Sequence, residues 1–177
     1  MTAPRILALD LSLTATGVAS NAGDGWATTI RPPRIVDGVA RIDHLRRAIA
    51  VDYLPAAEYV VVEGLPFGSH DAYAKETAGL FYVVAVALYR RGIPMAAVNP
   101  TTLKSYVCKG NASKDEMRGE VVARFPNFRG DHNAADALAL CAMACEHFGD
   151  ILGAYGFPNP AAVGRVQWPD RPGVLSA

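Results

Sequence analysis

Three acidic side chains in this sequence stand among apolar residues, where a carboxylate is costly unless it binds something. Asp10 and Glu63 each end a run of apolar, strand-like residues, and Asp136 lies in the alanine-rich stretch 134–140. An unpaired buried carboxylate carries a large desolvation penalty, and two of them about 4 Å apart repel by roughly 4 kcal/mol at an effective dielectric constant near 20. Divalent cations turn that repulsion into attraction, so the three acids predict a metal site.

The ligand set also indicates a reaction. Asp10, Glu63 and Asp136 would supply oxygen ligands that suit Mg²⁺, with Mn²⁺ as a substitute, because hard cations prefer carboxylates and water. Two such ions roughly 4 Å apart activate a water and stabilise the leaving oxygen of a phosphodiester, so we expect phosphodiester hydrolysis. Each acid alone has an ordinary explanation: Asp10 could form a turn, Glu63 could bond to neighbouring backbone, and Asp136 could belong to a capping box opened by Asn133. These three separate explanations would all have to be true at once, which favours the single explanation of a metal site.

The elements that must position these acids follow from hydrophobic periodicity. Three strands in a meander come first, followed by an order of helix, strand, helix, strand and further helices. This order predicts a mixed α/β layer fold in which the later crossovers make parallel strands, so that Asp10 and Glu63 can meet at one sheet edge. The predicted strands are 5–11, 16–20, 26–30, 59–63 and 93–98, and the predicted helices are 37–53, 72–91, 101–107, 114–125 and 133–148.

Length and composition bound the domain organisation. The chain has 177 residues, 51% of them hydrophobic, and a formal net charge of zero, which argues against coating nucleic acid by bulk electrostatics. We expect one domain over residues 1–148 and a Gly/Pro-rich C-terminal extension, 149–177, lying on the surface as an appendage. The N-terminus shows no export signal, and the longest apolar run, 78–89, is too short to span a membrane, so we expect a soluble, cytoplasmic protein.

Two further features concern packing. The cysteines are expected to be reduced core residues, because they are odd in number and lack the partners of a zinc site: Cys108, Cys141 and Cys145. The helix 72–91 is apolar nearly all round in its second half, whereas a helix on a sheet needs only one apolar stripe. Either a partner subunit or the C-terminal helix and tail could cover the second face.

Four segments of the sequence resemble those of a known family, the RuvC-type Holliday-junction resolvases of the RNase H-like superfamily. The resemblance rests on four segments, in the family's order and approximate spacing, between about residues 5 and 148: Leu-Ala-Leu-Asp-Leu-Ser-Leu-Thr-Ala-Thr-Gly at 7–17, Val-Val-Val-Glu-Gly at 60–64, Val-Asn-Pro-Thr-Thr-Leu-Lys at 98–104 continuing to Asn-Ala-Ser-Lys-Asp-Glu-Met at 111–117, and Ala-Ala-Asp-Ala-Leu-Ala at 134–139.

The resemblance implies an RNase H-like fold with a five-stranded mixed sheet flanked by helices. It also implies a dimeric, Mg²⁺-dependent endonuclease that nicks two strands of like polarity at a four-way DNA junction, in recombination, repair or phage DNA processing. Asp10, Glu63 and Asp136 fall on family metal-binding acids, and Lys104 and Lys114 match lysines near the scissile phosphate. The family's long second helix, here 72–91, is a dimer contact.

The chain departs from the family pattern in two places. Asn133 stands where the family usually has Asp or His, and an Asn oxygen brings no charge to a cation. Asp131 could take that place through a small shift of the helix start, and His132 is a third candidate because it shares a helical face with Asp136. The resemblance implies that Phe67 is the equivalent of an aromatic side chain that the family inserts at the junction; the alternative is a Phe packed under its own loop.

Basic residues concentrate between 104 and 129, where six of them stand against three acids. In a neutral protein this excess is the best candidate for phosphate contacts, although a solvated helix face explains Arg118 equally well. With Phe67, the predicted DNA contacts are Lys104, Lys109, Lys114 and Arg118.

Three other functions compete with junction cleavage. An RNase H-like nuclease acting on RNA–DNA hybrids or flaps would use the same acids and ions. An actin-like ATPase or sugar kinase also places Asp, Thr and Gly after its first strand, but it needs roughly twice this length. A non-catalytic junction-binding module is conceivable because of Asn133.

Overall fold

The protein is built on one five-stranded mixed sheet. The computed structural model describes residues 3–65, 72–108 and 110–169. The strands are β1 (Ile6–Asp10), β2 (Thr16–Ser20), β3 (Trp26–Ile30), β4 (Tyr59–Glu63) and β5 (Met95–Val98), in the order β3-β2-β1-β4-β5. The three-strand meander is antiparallel, whereas β1 and β4, and β4 and β5, pair in parallel. The predicted five-stranded mixed sheet is confirmed.

Within the described residues, five α-helices flank the sheet: α1 (Gly38–Ala48), α2 (Ala72–Tyr89), α3 (Pro100–Val107), α4 (Lys114–Arg124) and α5 (His132–His147). Asn99, Ser113 and Asp131 accept a backbone N–H with their side chains and so begin α3, α4 and α5. Asp37 directly precedes α1, and its side chain makes no capping hydrogen bond within the described part of the chain. The alternative explanation of Asp136, a capping box opened by Asn133, is wrong, because α5 begins at His132 and Asp131 caps it.

Alternation along the strands divides the core into two layers. Ile6 and Ala8 of β1 and Tyr59 of β4 face α3, α4 and α5, whereas Leu7 and Leu9 face the opposite layer with α1 and α2. Both central strands are buried on both faces, which explains their nearly continuous apolar sequence. Cys141 and Cys145 are core residues of α5, as predicted, whereas Cys108 is only half-buried.

The two faces of α2 differ. Leu80, Val84 and Leu88 are buried in the layer that α2 shares with α1. On another face Tyr82, Val86 and Tyr89 are 62%, 48% and 86% exposed, and the spacing of four and three residues brings them to one side of the helix. The α5 helix and the extension as far as residue 169 pack in the other layer, so neither of them covers this face.

The C-terminal extension is not the surface appendage that the sequence predicts, at least as far as residue 169. Phe157 and Ala162 are 4% and 0% exposed and belong to the core cluster around α5. The extension forms a 3₁₀ helix, Pro160–Arg165, and Trp168 stacks on His147 of α5 with ring centroids 4.5 Å apart. The division into a domain 1–148 and an extension stays a prediction. No helix in the described ranges is long and apolar enough to cross a bilayer.

Candidate active site

Asp10 and Glu63 occupy the ends of two neighbouring parallel strands. Leu9 pairs with Val62, so the next residue of each strand, Asp10 and Glu63, lies at the same level of the sheet. Side chains of β1 and β4 alternate between the two layers, and this places both acids on the face that carries α5. The pairing register therefore brings the two strand ends together at one edge of the sheet, as predicted.

Asp136 reaches the same edge because α5 lies directly on β2. Gly17 is the β2 partner of Asp10, and a Cβ at Gly17 would lie 2.0 Å from the carbonyl oxygen of Asn133. Only a residue without a side chain permits this approach. Asp136 follows Asn133 by three residues and so shares its side of the helix.

Burial and mutual repulsion govern the ionisation of the three acids. Desolvation, followed by repulsion from Asp136, raises the pKa of Asp10 to about 7. Desolvation, then repulsion from Asp10 and Asp136, raises the pKa of Glu63 to about 8. Desolvation likewise raises the pKa of Asp136 to about 6. The raised pKa values of all three acids mean that nearby positive charge is too small to stabilise the ionised carboxylates.

Two lysines supply part of that opposing charge. Lys104 of α3 lowers the pKa of Glu63 and Asp136, and Lys114, the first residue of α4, lowers the pKa of all three acids. Neither contribution outweighs desolvation. The structure therefore collects the three predicted acids and the two predicted lysines in one electrostatic cluster, called the acid cluster below.

The positions of the side chains do not form a ready ligand set. Over residues 3–65, 72–108 and 110–169, no three His, Cys, Asp or Glu side chains are grouped so that they could hold a metal ion. The chemistry of the donors nevertheless fits a hard divalent cation, since Asp10, Glu63 and Asp136 offer only carboxylate oxygens and a cation would relieve the repulsion that raises their pKa values. The predicted metal site stays a prediction.

Asp131 has other partners. Its Oδ1 accepts hydrogen bonds from the Thr29 hydroxyl at 2.6 Å and from the Ala134 N–H at 3.0 Å, and its Oδ2 pairs with Arg31. Burial raises the pKa of Asp131, but these hydrogen bonds outweigh it and lower the pKa below its ordinary value. Both oxygens are thus engaged in capping α5 and joining it to β3, which argues against the predicted role as a metal ligand.

The other two candidates for the fourth ligand differ from each other. His132 faces α4, with Nδ1 3.2 Å from the Lys114 carbonyl oxygen and Nε2 3.5 Å from Asp115. Asn133 lies on the sheet side of α5, against Gly17. Asn133 is therefore the predicted candidate whose backbone lies against β2, at the residue that pairs with Asp10.

The predicted DNA contacts fall into three groups. Lys104 and Lys114 belong to the acid cluster. Arg118 donates through Nε to the Gly130 carbonyl oxygen at 3.1 Å, so part of its guanidinium joins α4 to the segment before α5. Phe67 and Lys109 lie outside the described residues.

Sequence reasoning missed the residue that shapes the loop after Asp10. Thr16 is fully buried, and its hydroxyl donates to the Ser12 carbonyl oxygen at 2.7 Å and accepts from the Ser12 N–H at 3.2 Å. This pair of bonds closes the turn between β1 and β2. The available signal was Ser12 directly after the first predicted strand and Thr16, four residues later, at the start of the second.

Comparison with known proteins establishes the architecture. Neither the protein-family models nor the curated protein sequences give a match to this chain. Among solved structures, Thermus thermophilus RuvC is similar with a TM-score of 0.61 and 21% identity, over 84% of this chain and 99% of that one. T. thermophilus RuvC in complex with a Holliday junction substrate gives a TM-score of 0.63 and 20% identity, over 85% and 99%. The chain therefore has the RNase H-like fold of RuvC.

Proposed function

We propose that this protein is a metal-dependent endonuclease that nicks four-way (Holliday) and related branched DNA junctions by phosphodiester hydrolysis. The observation that carries the proposal is the acid cluster: Asp10, Glu63 and Asp136 on one sheet edge with two lysines beside them. The fold is that of a protein whose structure in complex with Holliday junction substrate is known, which favours branched DNA over other phosphodiesters.

The acids and the lysines of the cluster have different proposed roles because their charges are opposite. Asp10, Glu63 and Asp136 would hold Mg²⁺, or Mn²⁺ in its place, with Asn133 as a neutral fourth ligand. When bound, the metal supplies an activated water and stabilises the leaving oxygen. Lys104 and Lys114 would bind the scissile phosphate and offset its charge, since both act electrostatically on the acids. Lys109, Arg118 and Phe67 are the proposed contacts to the DNA beyond that phosphate.

The exposed apolar face of α2 supports a homodimer. Tyr82, Val86 and Tyr89 would meet the same residues of a second copy around a two-fold axis. Two copies related in this way present two acid clusters, which fits symmetric nicking of two strands. We place this activity in the cytoplasm of a bacterial cell, in recombination, repair or phage DNA processing.

A non-catalytic junction-binding module is the second candidate. Two observations favour it: Asn133 adds no charge where an acid is expected, and the described side chains form no ready metal ligand set. A nuclease that prefers hybrids or flaps would differ only in substrate.

One cleavage matrix separates these functions. The purified protein is incubated with a four-way junction, a flap, an RNA–DNA hybrid or a plain duplex, each with Mg²⁺, Mn²⁺ or EDTA. We expect metal-dependent nicking that prefers the branched DNA and that is lost in Asp10→Asn and Glu63→Gln. Asp24→Asn, in the exposed turn between β2 and β3, is the control that removes an acid elsewhere. Tight junction binding without cleavage under any metal would establish the binding module instead.

A further inference from the structure

The C-terminal extension forms hydrogen bonds to α3 at Ser105. The Asn159 side-chain amide donates to the Ser105 carbonyl oxygen at 3.1 Å and to its hydroxyl at 3.2 Å. Arg165 lies 3.3 Å from the same hydroxyl. Ser105 directly follows Lys104, so the extension holds the backbone of α3 next to a lysine of the acid cluster.

The helix α3 depends on such contacts because it has only eight residues, and isolated helices of that length are marginal in water. Its N-terminal end is fixed to the sheet, since Asn99, directly after β5, accepts the Thr101 N–H at 2.9 Å. Its C-terminal half is fixed by packing, with the Tyr106 ring 4.9 Å from that of Phe157 in the extension.

The extension is itself anchored, so it can hold α3 in place. Phe157 and Ala162 are buried in the core, and the guanidinium of Arg124 in α4 lies 4.4 Å from the centre of the Phe157 ring. Trp168 stacks on His147 of α5 and donates through Nε1 to the Val163 carbonyl oxygen at 2.9 Å. These contacts join the extension to the two helices that neighbour α3.

We infer that Asn159 is a positioning residue that sets the place of Lys104 in the acid cluster by holding Ser105. The part of this inference that concerns catalysis rests on the proposed nuclease function. Asn159 lies outside the segments that carry the family resemblance, so this positioning contact comes from the chain's own C-terminal extension.

Two single substitutions in the full-length protein give the first test of the inference. Asn159→Ala is compared with Asn21→Ala, a matched control because Asn21 also joins two distant chain segments through its amide, by hydrogen bonds with Ile6 and Pro4. We expect Asn159→Ala to lower the junction-nicking rate at saturating metal and DNA by about tenfold to a hundredfold, because small misplacements of reacting groups have effects of that size, with KM nearly unchanged. Asn21→Ala should leave the rate near that of the wild type.

The decisive comparison uses Lys104→Ala as background. If Asn159 acts through Lys104, Asn159→Ala produces no further loss of rate once Lys104→Ala is present. An equal loss in both backgrounds would overturn the inference, since it would indicate general destabilisation.

Hydrogen exchange gives a readout that does not need activity. We expect Asn159→Ala to lower amide protection in residues 101–107, and Asn21→Ala to leave protection there unchanged. Unchanged protection of 101–107 in Asn159→Ala would overturn the inference. If the wild type nicks no DNA, the proposed function fails, and this exchange experiment alone decides whether the extension positions α3.

Discussion

Gly17 of β2 and Asn133 of α5 lie in direct backbone contact: a Cβ on Gly17 would be 2.0 Å from the carbonyl oxygen of Asn133 and 3.2 Å from the Cβ of Ala137. Gly17 also pairs with Asp10 across the strands. One glycine therefore sets how closely the helix that carries Asp136 approaches the strand that carries Asp10.

Replacing Gly17 by Ala is expected to separate these two acids. The added methyl group must push α5 away from β2, and overpacking of this kind typically costs about 1 to 3 kcal/mol. We expect a lower midpoint of thermal unfolding and a loss of junction nicking of about a hundredfold, because the carboxylates of Asp10 and Asp136 move apart. Gly119→Ala is the matched control: Gly119 lies on the exposed face of α4 with nothing within 4 Å of its added methyl group, so it should be neutral or stabilising. Equal effects of both substitutions would contradict the role of Gly17.

The acid cluster predicts how the stability of the metal-free protein depends on pH. The folded-state pKa values of Asp10, Glu63 and Asp136, about 7, 8 and 6, lie above their ordinary values of 3.8, 4.5 and 3.8. Between these limits the folded protein binds more protons than the unfolded chain, so its stability falls as the pH rises. We expect the unfolding midpoint in EDTA to decrease from pH 5 to pH 8, and to decrease less in Asp10→Asn.

Groups with lowered pKa values act in a different range. Asp43, Glu58 and Asp131 ionise more readily in the folded protein and lose their contribution only as the pH falls below about 5, so they do not mask the trend between pH 5 and 8. An unfolding midpoint that rises over this interval would contradict the burial of the acid cluster. Addition of Mg²⁺ or Mn²⁺ at pH 8 should restore stability, because the cations bind the folded protein in preference to the unfolded chain.

How much of this could be read from the sequence depends on the range of the interaction. The strand ends at Asp10 and Glu63 follow from local hydrophobic patterns, and the parallel pairing that aligns them is a general rule of α/β sheets. The engagement of Asp131 with Thr29 and Arg31 joins residues about a hundred positions apart, and no local pattern encodes that pairing. The prediction of a surface extension is wrong for a related reason: Phe157 and Ala162 are buried by long-range packing, although the Gly/Pro-rich segment around them lacks periodicity.

Asp131 is expected to act as a helix cap, and its two conservative replacements separate that role from metal binding. Asn is as good a cap as Asp, and the largely exposed ion pair with Arg31 that it loses contributes at most about 1 kcal/mol, so Asp131→Asn should lower the unfolding midpoint only slightly and retain most of the nicking activity. Asp131→Ala removes the cap and should cost about 1 kcal/mol of stability. Titration of the nicking rate with Mg²⁺ provides the second measurement. A strong increase in the Mg²⁺ requirement of Asp131→Asn would show that Asp131 is a ligand after all.

The exposed face of α2 predicts a substitution that breaks the proposed dimer. Val86 is 48% exposed in a single chain, and Val86→Glu would place two like charges near each other across a two-fold axis. We expect sedimentation velocity to show a dimer for the wild type and a monomer for this variant, whose unfolding midpoint should be lower and no longer depend on protein concentration. Val39→Glu on α1, where Val39 is 81% exposed, is the control for adding a charge to an exposed valine. A wild-type protein that stays monomeric at micromolar concentration would refute the dimer contact.

Asn133→Asp is expected to strengthen metal binding at the expense of the metal-free protein. The side chain lies on α5 one turn before Asp136, and a fourth carboxylate would increase the attraction for a divalent cation. The same charge would increase the repulsion within the acid cluster when no metal is bound. We therefore expect a lower Mg²⁺ concentration for half-maximal nicking and, in EDTA at pH 8, a lower unfolding midpoint. Asn133→Ala, which removes the amide without adding charge, should raise the Mg²⁺ requirement instead. An unchanged Mg²⁺ requirement in both variants would show that position 133 does not touch the metal.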